Sequence, residues 1–101
     1  AAINKVAALY TNVYEYDEAV ALFEKSISLD PLQKEAYMGM VKLYLRKGDF
    51  ETASKKISEF KKRRPGDDEE ILNLEGAVLD KLDKHAEAIK IWETLVKLKP
   101  K

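Results

Sequence analysis

Three stretches of the chain, "YDEAVALFEKSISLDP" (16–31), "FETASKKISEFKKRRP" (50–65) and "HAEAIKIWETLVKLKP" (85–100), align without a gap. Each carries a ring side chain (Tyr16, Phe50, His85), an alanine three residues on (Ala19, Ala53, Ala88), a bulky residue four beyond that (Phe23, Ile57, Trp92) and a closing proline (Pro31, Pro65, Pro100). The prolines are 34 and 35 residues apart. A period of this length marks stacked units, each of which buries its apolar face only against its neighbours.

A second amphipathic segment precedes each stretch: "AAINKVAALYTNV", "KEAYMGMVKLYLRK" and "EEILNLEGAVLDKL". Apolar residues recur in them at spacings of three and four, as in Ile3, Val6, Leu9 and Tyr10, which is one face of an α-helix. Each unit therefore reads as a helical hairpin, with helices predicted over 2–13, 17–29, 34–47, 50–63, 69–81 and 85–98. In "KGDF", Gly48 falls just past one helix and Asp49 is positioned to cap the next. Asp67 and Glu70 have the spacing of a capping box.

Period, alanines, aromatic positions and prolines together resemble the tetratricopeptide repeat family. The resemblance covers essentially the whole chain as one domain over 1–101, with units at about 1–33, 34–67 and 68–101. It implies an all-α solenoid of three antiparallel helix-turn-helix hairpins in a right-handed superhelical array. The middle unit matches best. The first has Tyr14 where the family usually turns on glycine; the third departs at Leu72, Glu75 and Asp83 and carries an extra residue near Asp67 and Asp68.

The recurrent alanines are expected at the closest crossing of the two helices of a hairpin, and Tyr10, Tyr44 and Leu79 in the seams. Where the first and third units have Ile27 and Leu29, or Val96 and Leu98, the second has Lys61 and Arg63, leaving less apolar surface to dock the third unit. The last predicted helix carries Ile89, Trp92, Leu95 and Val96, followed by Pro100 and Lys101, with no polar capping helix. Such an edge suits either a segment of a longer protein, as the start on Ala1 also suggests, or a homo-oligomer that covers it by self-association.

Lys and Arg total 18, as do Asp and Glu, so no net field draws the chain to nucleic acid or to an anionic surface. The middle third is nonetheless basic, and "KKRRPGDDEE" (61–70) could serve a charged partner. Helix-end electrostatics explains that run more simply: cations in the last turn of one helix face its negative pole, and carboxylates in the first turn of the next face its positive pole. Nucleic acid is therefore not the expected partner. The absence of cysteine and of any run of about 20 apolar residues points to a cytoplasmic chain without membrane insertion.

With no Cys and His85 as the single imidazole, no nucleophile, base and orienter can be assembled, so no enzyme activity and no cofactor are expected. Asp67 to Glu70 lack the alternating spacing of a calcium loop, and the four glycines form no phosphate-cradling motif. The resemblance instead implies a protein–protein interaction or scaffold module, in which the first helix of each hairpin lines a concave groove for a peptide or helix. The matching positions are Asn4, Lys5, Ala8 and Asn12, then Met38, Gly39, Lys42, Leu45 and Arg46, then Asn73, Leu74, Ala77, Asp80 and Lys81. Lys42 with Arg46 could meet an acidic group, and Met38 with Leu45 an apolar one. The basic clamp with which some family members hold a chaperone's C-terminal tail is missing, because Asn4, Ala8, Gly39, Glu70 and Leu74 stand at its positions. The alternative role is self-association through Ile89, Trp92, Leu95 and Val96.

Overall fold

A computed structural model describes residues 2–98, and within them the chain forms six helices and no strand. They are α1 (Ala2–Asn12), α2 (Tyr16–Leu29), α3 (Lys34–Lys47), α4 (Phe50–Arg63), α5 (Glu69–Lys81) and α6 (His85–Leu98). The expected boundaries hold to within a residue; Pro100, the third closing proline, lies outside the described residues. Helices pair as hairpins α1·α2, α3·α4 and α5·α6, and each hairpin docks on the next through α2·α3 and α4·α5.

The three hairpin turns share one backbone solution. In each, an N–H donates to the carbonyl five residues earlier: Glu15 to Tyr10 at 2.9 Å, Asp49 to Tyr44 at 2.9 Å and Lys84 to Leu79 at 2.9 Å. This closes the helix in a Schellman-type turn whose penultimate residue must be left-handed. Gly48 takes that conformation at φ 81° without penalty, whereas Tyr14 (φ 66°) and Asp83 (φ 61°) are forced into it. The turn is set by the packing of the helices, so it survives the loss of glycine in two units.

Two apolar clusters fill the array. The first joins Ala7, Ala19 and Phe23 of the first hairpin to Ala36, Met40 and Leu43 of the second. The other joins Tyr37, Val41, Ala53, Ile57 and Phe60 to Ile71 and Val78 of the third. Ile27 and Tyr44 touch both. Ala19, Ala53 and Ala88 are all buried, as their place at the helix crossings requires. Tyr10 departs from expectation: it is 37% exposed, because its seam faces no preceding hairpin among the described residues.

At the second join, Lys61 stands where the first join has Ile27, and its Nζ donates to Glu75 Oε1 at 3.0 Å. An ion pair thus replaces the missing apolar contact. The cap of α5 also differs from expectation. Asp68, not Asp67, is the cap: its Oδ1 accepts from the N–H groups of Glu70 (3.0 Å) and Ile71 (3.2 Å), and Glu70 turns outward to Lys34 at 2.7 Å. The extra residue in this linker moves the helix start by one and dissolves the capping box. Asp49 caps α4 as expected, accepting from the Thr52 N–H at 3.2 Å.

Partial burial opposes ionisation of Asp68. The Ile71 N–H, Lys34 and the Glu70 N–H outweigh it and hold the carboxyl below its ordinary 3.8. Hydrogen bonds to Glu70 and Asp68 raise Lys34 above its ordinary 10.5. The depressed carboxylate contributes stability that is present above its unfolded pKa and lost as pH falls through the lower folded value. The raised ammonium contributes stability that is present below 10.5 and lost as pH rises past its folded value. Stability should therefore decline as pH drops below about 4. Asp68→Asn, which keeps a capping oxygen but no charge, should flatten that decline in thermal melts between pH 2 and 7; parallel curves for the two proteins would refute the assignment.

Candidate functional site

The first helices of the first two hairpins, α1 and α3, lie side by side and leave a cleft between them. Its floor is Ala8, Gly39 and the ring of Phe23, which comes up from α2 beneath them. Gly39 is there for space: a Cβ at this position would lie 2.4 Å from Phe23 Cε1 and Cζ. The helix lacks a side chain where the ring needs to pass, and the groove gains a smooth apolar base.

The cleft has two lobes that share Ala8, Phe23, Gly39 and Lys42. One, of about 410 Å³, is walled by Asn4, Lys34, Glu35, Met38 and Glu70. The other, of about 270 Å³, is walled by Thr11, Asn12 and Arg46. Arg46 Nη1 donates to Asn12 Oδ1 at 2.9 Å, tying the two hairpins across the cleft and leaving the rest of the guanidinium fork available. Lys34 is engaged by Asp68 at 3.2 Å and Glu70 at 2.7 Å. Asn4 donates to Gln33 Oε1. Among the described residues its own Oδ1 is enclosed with no donor, a situation that costs about 1–3 kcal/mol.

Of the residues expected to line the groove, Asn4, Ala8, Asn12, Met38, Gly39, Lys42 and Arg46 meet around this cleft. Lys5 and Lys81 are exposed and outside it. Leu45 packs against the second core cluster, and Ala77 is half-buried on α5. Asn73 lines a separate cleft of about 250 Å³ with Glu69, Trp92, Leu95 and Val96. Phe23, Thr11, Lys34 and Glu35 were not anticipated, and Glu70, expected in the groove only as a position of the missing clamp, forms part of the wall. Phe23 was legible in principle, since a glycine on a helix face needs a large neighbour to fill its place.

In the third hairpin, α6 exposes Ile89 (56%), Trp92 (39%) and Val96 (62%), while Leu95 is half-buried. His85 is exposed at the start of α6, its Nδ1 3.0 Å from Asp80 Oδ1. Among the described residues no group of three or more metal-ligating side chains is gathered, and no helix is long and apolar enough to cross a membrane.

Comparison with known proteins agrees with this architecture. A stretch of the human protein O-mannosyl-transferase TMTC1 is 25% identical to this chain over 99 residues, which is 98% of the chain and 11% of that protein. The chain thus spans about a tenth of the length of that relative. A family model described as tetratricopeptide repeat matches residues 14–78, more than half of the sequence, across the best-matching middle hairpin and parts of both others. On that match and on three hairpins closed by one common turn, the chain belongs to the tetratricopeptide repeat family.

Proposed function

We propose that the α1/α3 cleft holds a short segment of a partner protein that carries an acidic side chain beside a small apolar one. Repeats of this family generally mediate protein–protein interaction, and the observation that carries the finer reading is the second lobe. There an apolar floor of Ala8, Phe23 and Gly39 lies under the Lys42 ammonium and the Arg46 guanidinium. A carboxylate would meet the guanidinium fork in a charge-assisted pair while its neighbour rests on the Phe23 ring. Two cations and so small a cleft suit a transient complex, on the order of micromolar.

Selection from a library of peptides displayed against the chain should enrich Asp or Glu next to a small apolar residue. The Lys42→Glu, Arg46→Glu double variant should weaken binding of an enriched peptide by about 10-fold or more. Enrichment without acidic residues, or binding indifferent to the double variant, would overturn the reading. A second reading is self-association through α6, favoured by the exposure of Ile89, Trp92 and Val96 on one helix.

A further inference from the structure

Resting on the self-association reading, we propose that the α6 face is built to receive the α1 face of a second copy of this chain, head to tail, in the register that joins the hairpins within the chain. The repeat equivalences fix which residues would meet. On the receiving side, Phe23 and Ile27 of the first hairpin correspond to Ile57 and Lys61 of the second and to Trp92 and Val96 of the third. On the entering side, Met40 and Leu43 of α3 correspond to Glu75 and Val78 of α5 and to Val6 and Leu9 of α1.

Inside the chain most of these positions are covered, and Ile27, Lys61 and Glu75 are partly so. Phe23, Ile57, Met40, Leu43 and Val78 are each at most 2% exposed. At the ends their counterparts are open: Val6 is 44%, Leu9 64%, Trp92 39% and Val96 62% exposed. The two free faces are thus the unmatched halves of a joint that the molecule already makes twice.

The chemistry of the two ends also agrees. At the second join the entering and receiving positions hold opposite charges, Glu75 and Lys61, which meet at 3.0 Å. At the first, Ile27 packs against the cluster that contains Met40. A lysine at the receiving position of α6 would be stranded against an apolar α1; α6 carries Val96 there, and α1 presents Val6. Apolar meets apolar, as in the first join. Each docked pair leaves one α6 and one α1 free, so growth is open rather than closed at a dimer.

The 101-residue chain should show a weight-average mass in sedimentation that climbs with concentration without a plateau at two copies. Emission from Trp92, the single tryptophan, should shift to the blue in parallel. Val96→Lys and Val6→Glu, both at exposed positions and so expected to keep their helicity and melting behaviour, should each weaken association by about 10-fold or more, since each sets an unpaired charge against an apolar face. An equimolar mixture of the two variants at low salt should restore it: the new ammonium and carboxylate then meet as Lys61 and Glu75 do, and the remaining joint is wild-type. A chain that stays monomeric with unshifted emission at every concentration overturns both this proposal and the self-association reading. Dissociation by Val96→Lys but not by Val6→Glu leaves self-association standing and overturns the head-to-tail arrangement. A mixture that stops at pairs, joined only through the wild-type faces, overturns the register, and one that does not associate at all overturns the head-to-tail arrangement.

Discussion

Replacing Tyr37 with alanine is expected to remove about 3–5 kcal/mol of unfolding free energy, the largest single effect we anticipate in this molecule. Tyr37 is 1% exposed, and its ring lies 5.3 Å from that of Phe60, tilted by 58°. The two rings sit in the cluster that also holds Ile71 and Val78, so one side chain supports both the α3·α4 hairpin and the docking of α5. Burial pushes the phenol pKa up, because the charged phenolate would be poorly solvated there. The consequence reaches beyond a cavity. A domain of this size commonly has about 5–15 kcal/mol of stability, so the loss would bring the array close to unfolding and release the third hairpin first. Urea denaturation should show a lower midpoint. A loss under about 1.5 kcal/mol would mean that the cluster can close around the gap and does not hold the join.

Alanine at Gly39 and at Gly76 should give opposite outcomes, although the two sites look alike in sequence. Each is a glycine inside a helix, where alanine ordinarily gains up to about 1 kcal/mol. Each also lies under an aromatic ring: a Cβ at Gly39 would be 2.4 Å from Phe23, and one at Gly76 would be 2.6 Å from Trp92 Cζ2. The difference lies behind the rings. Phe23 is 2% exposed and backed by the first core cluster, so it cannot retreat; overpacking of that kind costs about 1–3 kcal/mol and should leave Gly39→Ala less stable than the parent. Trp92 is 39% exposed and can swing outward, so Gly76→Ala should fall within about 1 kcal/mol of the parent. Thermal melts of the two variants side by side decide the matter. Equal shifts would show that ring mobility does not govern the cost.

Much of this fold was legible from a single sequence because its signals repeat. The spacing of Ala19, Ala53 and Ala88 and the prolines fixed the helices to within a residue. What escaped depended on neighbours in space. Asp67 and Asp68 are equally good caps on paper, and the length of one linker chose between them. Tyr14 shows no local preference for a left-handed turn and Asp83 only the modest tolerance of aspartate; the helices they join impose it. Leu45 looked like a groove residue by its position, yet the second core cluster draws it in. The floor of the candidate cleft comes from Phe23 on a second helix, a contribution invisible to any reading of groove-facing first helices.

The two joins of the array respond to salt to different degrees, because both bury an apolar cluster but the second also carries a partly exposed ion pair. The first is held by Phe23, Ile27, Met40 and Leu43, and salting-out ions strengthen such burial. The second carries Lys61 and Glu75, partly open to water, whose attraction is worth at most about 1 kcal/mol and fades as counterions accumulate. In a linear array whose stability is a sum over units and junctions, ionic strength therefore works as a directional control. Added salt strengthens apolar burial at both joins but removes the ion-pair contribution from the second, so the third hairpin gains less than the first two and remains the first to come away.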